Sequence, residues 1–252
     1  MLIDTHCHIH ESYELPIGEV LQRAAEAGVG EYLCVGTSEQ SSKQAIDFAD
    51  EHPEAYAVIG VHPHETKDGY GAIGDLAGSS SKIVAVGEIG LDYFYTHSPR
   101  EVQMEALEAQ IKVAIKHDLP IVFHVREAFE DFWPIFDKYP AIRGVLHSFT
   151  DSKENLHMAL QRGLYIGVNG ISTFTKDEIQ KNTFDSIPLD RLLLETDAPF
   201  LTPAPLRGKV NEPAYVKLVA EYHADRRGIS LEEIADATTT NARTLFKLTT
   251  LS

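Results

Sequence analysis

Cysteine is scarce. Cys7 and Cys34 are the only two in 252 residues; both lie in strand-like stretches and need not pair, so the expected setting is reducing and cytoplasmic. No apolar run approaches the length needed to cross a bilayer. The first residues carry neither a basic region nor a signal-like apolar segment, so neither a membrane span nor a leader is expected. Basic residues are also in deficit: 22 against 38 acidic ones, for a formal charge of −16. A surface of that sign repels polyanions and excludes an electrostatic coat for duplex nucleic acid. It leaves room for phosphate at one focused point, because bound divalent cations reverse the sign locally. There is no low-complexity segment and no linker.

What is present is an alternation of short apolar runs with amphipathic stretches. The runs at 2–8, 31–37, 55–64, 82–92, 119–125, 144–149, 164–168 and 191–197 read as eight strands. Helical periodicity covers 17–29, 38–52 (with Ser38 as N-cap), 99–118 (opened by Pro99), 127–138, 153–162 and 175–182, with a short piece at 72–77. The tail at 212–248 reads as helical throughout. Near-continuous apolar strands, each followed by a helix, predict an all-parallel sheet. Closed as a distorted TIM (β/α)8 barrel with C-terminal helices, it accounts for residues 1–252 as a single domain. An open doubly wound sheet is the runner-up. It is disfavoured because no glycine-rich dinucleotide loop follows the first strand.

The first strand, LIDTHCH, organises the chemistry. Successive strand side chains alternate faces, so His6 and His8 share one face with Asp4 behind them, and Cys7 points the other way. Further metal-capable residues close the other strands: His62 and His64 on the third, Glu88 on the fourth, His124 on the fifth, His147 on the sixth, Glu195 and Asp197 on the eighth. Packing alone does not place such residues at so many strand ends, and barrel active sites lie at that end. Strand eight neighbours strand one, which groups Asp197 with His6 and His8. Strands four to six group Glu88 with His124 and His147, and the two oxygens of Glu88 suit it to bridge two ions. Such a pair activates water and clamps both the attacked centre and the leaving oxygen, so the expected class is hydrolase.

The motifs DTHCH, GVHPH, GEIGLDY, HSFT, ETDAP and RGKVNEP, in that order and with His124 between them, resemble the TatD family of metal-dependent deoxyribonucleases within the amidohydrolase-like barrels. The resemblance implies a distorted (β/α)8 barrel, two divalent ions (Mg, Mn or Zn) and phosphodiester hydrolysis, often from a 3′ DNA end. It assigns His6, His8, Glu88 and Asp197 to a first ion and Glu88, His124 and His147 to a second, with His62 and His64 beside them. Two positions depart from the pattern. Asp151 stands where glycine is more usual, and Val210 where a second basic residue is frequent; both bear on polynucleotide affinity rather than on chemistry.

Individual roles follow. Glu88, Asp197, His62 and His64 are the candidate catalytic groups, Asp197 as ligand and general base. Asp197 has an alternative reading as a helix N-cap before APF. Glu195 is expected to support a ligand, or to pair with Arg126 or Lys209. Arg126, Arg207 and Lys209 are candidate phosphate donors, Lys209 the least of them. Tyr93, with Phe94 and Tyr95, could stack an unpaired base. Asn211, Glu212 and Pro213 are expected to shape the start of the tail helix. The partner is thus a DNA end or another phosphodiester. The alternatives are an amidohydrolase-type enzyme acting on small amides, lactones or phosphate esters, and a metal-binding protein without turnover.

Overall fold

The computed structural model describes residues 1–248. In chain order its elements are β1 (Leu2–Cys7), α1 (Ile17–Glu26), β2 (Val29–Val35), α2 (Glu39–Glu51), β3 (Ala55–Ile59), α3 (Ile73–Leu76), β4 (Ile83–Asp92), α4 (Arg100–Lys116) and β5 (Ile121–Arg126). There follow α5 (Phe129–Phe136), β6 (Gly144–Leu146), α6 (Lys153–Gln161), β7 (Tyr165–Val168), α7 (Ile171–Phe174), α8 (Glu178–Asp185), β8 (Leu192–Leu194), α9 (Val216–Arg227) and α10 (Leu231–Phe246). The strands are ordered β1 to β8 in the sheet, as in the chain. That is the succession of a (β/α)8 barrel; a doubly wound sheet would reverse order at a switch point.

By contact density the chain divides into two compact units: residues 1–33 with the chain from Ser148 onwards, and Cys34–His147. In the second unit β3, β4, β5 and β6 pair in parallel. The β4–β5 register shifts between Val86 and Ile89, the stretch that holds Glu88; such irregularities re-aim a side chain. Gly90 allows the two strands to approach, since a Cβ there would lie 1.7 Å from the His124 carbonyl oxygen. Ser38 caps α2 as expected, accepting from the Ser41 amide. Pro99 stands immediately before α4 rather than inside it.

In the first unit β7 and β8 pair in parallel. An isolated parallel bridge joins Cys7 to Ala198, so the segment after β8 lies alongside the end of β1. The Thr5 hydroxyl donates to the Leu194 carbonyl at 3.1 Å. The helical tail is interrupted at Gly228, whose φ of 65° closes α9. Arg23 on α1 holds Glu212 through Nε at 3.0 and 2.9 Å and Nη2 at 2.6 Å. Asn211 donates to the carbonyls of Thr196 and Phe200, so these residues anchor the loop before α9 as expected. Cys7 and Cys34 are not disulfide-bonded. No helix among the described residues is long and apolar enough to cross a membrane.

Candidate metal centre

Several expected strand ends overshoot. β3 stops at Ile59, β6 at Leu146 and β8 at Leu194. His62, His64, His147, Glu195 and Asp197 therefore stand just past their strands, where side chains are released from the pleat and can converge. His62 precedes a short 3-10 turn, Pro63–Asp68, that contains His64.

In the first unit, His6 and His8 are buried and their Nε2 atoms lie 3.2 Å apart. Asp197 Oδ1 is 3.3 Å from His8 Nε2 and 3.6 Å from His6 Nε2. Two backbone hydrogen bonds bring this about: Asp197 N–H donates to the His6 carbonyl at 2.8 Å, and His8 N–H to the Ala198 carbonyl at 2.7 Å. Asp197 adopts φ 61°, a left-handed conformation that Asp tolerates better than most residues. No helix begins between Asp197 and Asn211, and the Phe200 amide donates to the Asp197 carbonyl. The N-cap alternative is thereby set aside.

Beneath this trio lies Asp4, fully buried. Its carboxyl accepts from Thr196 N–H at 2.9 Å, the Thr196 hydroxyl at 2.6 Å and His6 N–H at 3.3 Å. Burial pushes it up to about 8, against those hydrogen bonds. Asp4 thus ties the turn that carries Asp197 to the strand that carries His6. Glu195, also buried, accepts from Ser148 N–H at 2.6 Å and lies 3.5 Å from Asn169 Nδ2. Gly167 makes room for it: a Cβ there would sit 2.4 Å from Glu195 Oε2.

In the second unit Glu88 Oε1 gathers histidines: His124 Nδ1 at 2.7 Å, His147 Nε2 at 3.0 Å and His62 Nε2 at 3.7 Å. Burial opposes its charge, yet His147, His62 and the hydrogen bonds from His124 and His147 hold it well below the usual carboxylate range. Asp92, four residues further along β4, is a second buried carboxylate that sequence reasoning passed over. Its Oδ2 lies 3.0 Å from both His124 Nε2 and His64 Nε2. The His64 contact has the distance of an ion pair without hydrogen-bond alignment. Asp92 Oδ1 accepts from Phe94 N–H at 3.0 Å and Tyr95 N–H at 3.1 Å. Burial works against the Asp92 charge too, but His124 outweighs it and the pKa falls. A signal existed in the sequence: four residues is an even spacing, which puts Asp92 on the strand face of Glu88.

The histidines divide by environment. Burial disfavours charge on His124, but bonds to Asp92 and Glu88 prevail and its pKa rises. Burial, helped by His124, takes His62 well down, and His64 is lowered chiefly by burial. His62 Nδ1 accepts from His64 N–H at 3.1 Å, so a neutral His62 carries its proton on Nε2, facing Glu88. That makes His62 a donor rather than a ligand.

Do these residues suit metal? Nitrogen and oxygen ligands at about 2.0–2.1 Å in a tetrahedron stand roughly 3.3–3.4 Å apart. The 3.2, 3.3 and 3.6 Å separations among His6, His8 and Asp197 match that spacing. These three form one candidate cluster; Glu88 and His124 fall in another together with His62, whose Nδ1 is already taken by the His64 amide.

The expected substrate contacts are varied. Arg126 lies with its guanidinium 3.8 Å from the Phe94 ring centre, and Arg207 3.8 Å from that of Phe174, while donating to the Thr202 carbonyl at 2.8 Å. Tyr93 is engaged on both counts: its hydroxyl donates to Asp131 at 2.8 Å and Arg100 covers its ring at 4.0 Å. Phe94 and Tyr95 are the exposed aromatics of that loop, at 48% and 44%. Asp151 accepts from Ser152 N–H and Asn155 Nδ2, both at 2.6 Å, and so shapes the start of α6.

A family model described as TatD related DNase matches residues 3–247. An uncharacterized metal-dependent hydrolase of Bacillus subtilis, YabD, is 40% identical over 98% of this chain and 100% of its own. A protein of Erwinia tasmaniensis named 3′-5′ ssDNA/RNA exonuclease TatD is 38% identical, over 91% of this chain and 93% of its own. The crystal structure of YJJV, a TatD homolog from Escherichia coli, superposes with a TM-score of 0.89 at 30% identity, covering 98% of each chain.

Proposed function

The chain belongs to the TatD-related DNase family of metal-dependent hydrolases, and on that premise we propose that it hydrolyses phosphodiester bonds at the 3′ ends of DNA. The observation that carries the reading is the His6, His8 and Asp197 trio at ligand spacing. Those residues would hold one divalent ion, and Glu88, His124 and His147 a second. Two such ions, when bound, supply Lewis-acid charge to the phosphoryl oxygens and a nucleophilic water at neutral pH. Histidine with carboxylate suits zinc or manganese better than magnesium, which prefers oxygen.

The protein's own groups take the remaining roles. Asp197, whose side chain retains 16% exposure, is the solvent-facing carboxylate of its trio and accepts the proton of the attacking water. His62, kept neutral by burial, offers its Nε2–H to a phosphoryl or leaving oxygen. Arg126 and Arg207 sit over aromatic rings, and their guanidinium N–H groups are the proposed donors to phosphate oxygens. With Arg100 on the Tyr93 ring and Arg126 on that of Phe94, stacking of an unpaired base is assigned to the exposed Tyr95. Exonucleolysis from the 3′ end follows the name of the Erwinia relative, and a cytoplasmic location is part of the same proposal.

An activity panel tests this: 5′-labelled single-stranded DNA, a bis-aryl phosphodiester and a small lactone, each with and without chelator. Chelator-sensitive shortening of the DNA from its 3′ end is expected. Lactone turnover alone would favour the amidohydrolase alternative; tight metal binding with no turnover would leave a binding protein. Metal titration of Glu88→Ala measures whether Glu88 serves one ion or two.

A further inference from the structure

We infer that Asp92 is a positioning residue that fixes the ring of His124, with the proton on Nε2 and the Nδ1 lone pair turned towards Glu88. The two nitrogens of His124 face different carboxylates: Nδ1 is 2.7 Å from Glu88 Oε1 and Nε2 is 3.0 Å from Asp92 Oδ2. A neutral imidazole has one proton for these two positions. Glu88 Oε1 also receives His147 at 3.0 Å, which marks the Nδ1 side as the ligand side. The Nε2 side ends on a carboxylate of a different kind. Asp92 is buried, its Oδ1 is taken by the amides of Phe94 and Tyr95, and its own amide donates to Gln103 Oε1 at 2.9 Å. The Asp92 carboxylate therefore cannot rotate without stranding two amides, and Oδ2 stays aimed at His124. A histidine ligand whose other nitrogen donates to a fixed carboxylate has its tautomer and ring orientation set, and its ligating nitrogen made more basic.

The same geometry predicts an unusual order among variants. In Asp92→Asn, the two amides of Phe94 and Tyr95 demand the amide oxygen on their side. The NH2 group is then forced against His124 Nε2, which must accept, and the proton moves to Nδ1. Asn is therefore worse for metal than a residue with no polar group. Asp92→Ala leaves Nε2 able to donate to water, but strands the Phe94 and Tyr95 amides and costs stability. A purely structural role gives the opposite ranking, with Ala the worse in both respects.

The inference rests on the metal reading of Glu88 and His124, and the experiment separates the two. Full-length wild type, Asp92→Asn and Asp92→Ala are titrated with Zn2+ against a competing chelator, with the His124 ring nitrogens followed by 15N NMR. The metal-free proteins are also recorded at alkaline pH to assign the tautomer, and thermal unfolding is measured alongside. Expected are an Nε2–H tautomer in wild type and an Nδ1–H tautomer in Asp92→Asn. Zinc binding at His124 should be weaker in Asp92→Asn by about 10- to 100-fold, and less weakened in Asp92→Ala, the less thermostable of the two. An unchanged tautomer in Asp92→Asn, unchanged zinc affinity, or an Ala variant that binds zinc no better than Asn would each overturn the positioning role. Wild type that fails to bind zinc at His124 would instead remove the metal reading on which it stands.

Discussion

Glu88 shows how much one side chain can concentrate. A single carboxylate oxygen meets nitrogens of His124, His147 and His62, and its charge is retained in a buried setting only because those rings face it. Glu88→Gln keeps the shape but replaces an ionised ligand with a neutral one. Turnover on the bis-aryl phosphodiester should drop by at least about a thousandfold, as removal of a group central to charge stabilisation does. Near wild-type turnover at saturating metal would remove Glu88 from the centre. Asp197→Asn is a milder change at the other trio, since the amide oxygen can still ligate. If Asp197 is the base, kcat should fall with little change in KM, measured on the same ester. Glu88, Asp197 and the six histidines assigned to strand ends were legible as residues of ligand chemistry, although Glu88 lies four residues before the end of β4. Asp92 and Asp4 were not given roles, because a carboxylate near a strand end looks the same in sequence whether it faces metal, imidazole or backbone amides.

Elements set where these residues stand. The approach of β4 to β5 depends on the missing side chain at Gly90, so Gly90→Ala must push the strands apart. A loss of about 3 kcal/mol or more is expected in chemical denaturation, from overpacking against backbone. Helix α9 supplies a different test. His223 is fully buried, its Nε2 is 3.0 Å from Ser172 Oγ on α7, and burial, helped by Arg227, lowers its pKa to about 3. In the unfolded chain it titrates at the ordinary value of 6.5. Between those values the unfolded state binds the extra proton, so stability is lost as pH falls from about 6.5 towards 3. From pH 6.5 to 5 this amounts to about 2 kcal/mol, or roughly 4–8 °C in Tm for a chain of this length. His223→Gln, which cannot titrate, should show a flatter Tm profile over that range; an unchanged slope would place the acid sensitivity elsewhere.

At the scale of the whole molecule the balance of charge is the dominant fact. A chain of formal charge −16 gathers further carboxylates and histidines in its two clusters, and bound cations offset that concentration. Metal that binds the folded chain alone should raise its stability by about 2.7 kcal/mol at a hundredfold excess over Kd. Removal by chelator should then lower Tm by roughly 5–10 °C. Acid should act in the same direction, because ligand histidines must be neutral to bind. No change in Tm between metal-loaded and chelated protein would contradict a resident ion.

The order of strands, the helices between them and the residue types at the strand ends are local properties. Periodicity, the capping serine and the spacing of His6 and His8 express them directly, and they were readable from the chain alone. Where each strand stops was not, since the stretches read as strands run on beyond Ile59, Leu146 and Leu194, where β3, β6 and β8 end. Nor could the chain alone say that Asp197 would turn back in a left-handed conformation to reach His8, or that Tyr93 would spend its hydroxyl on Asp131. Those outcomes depend on which distant backbone groups come within hydrogen-bond reach. Tertiary packing alone decides that.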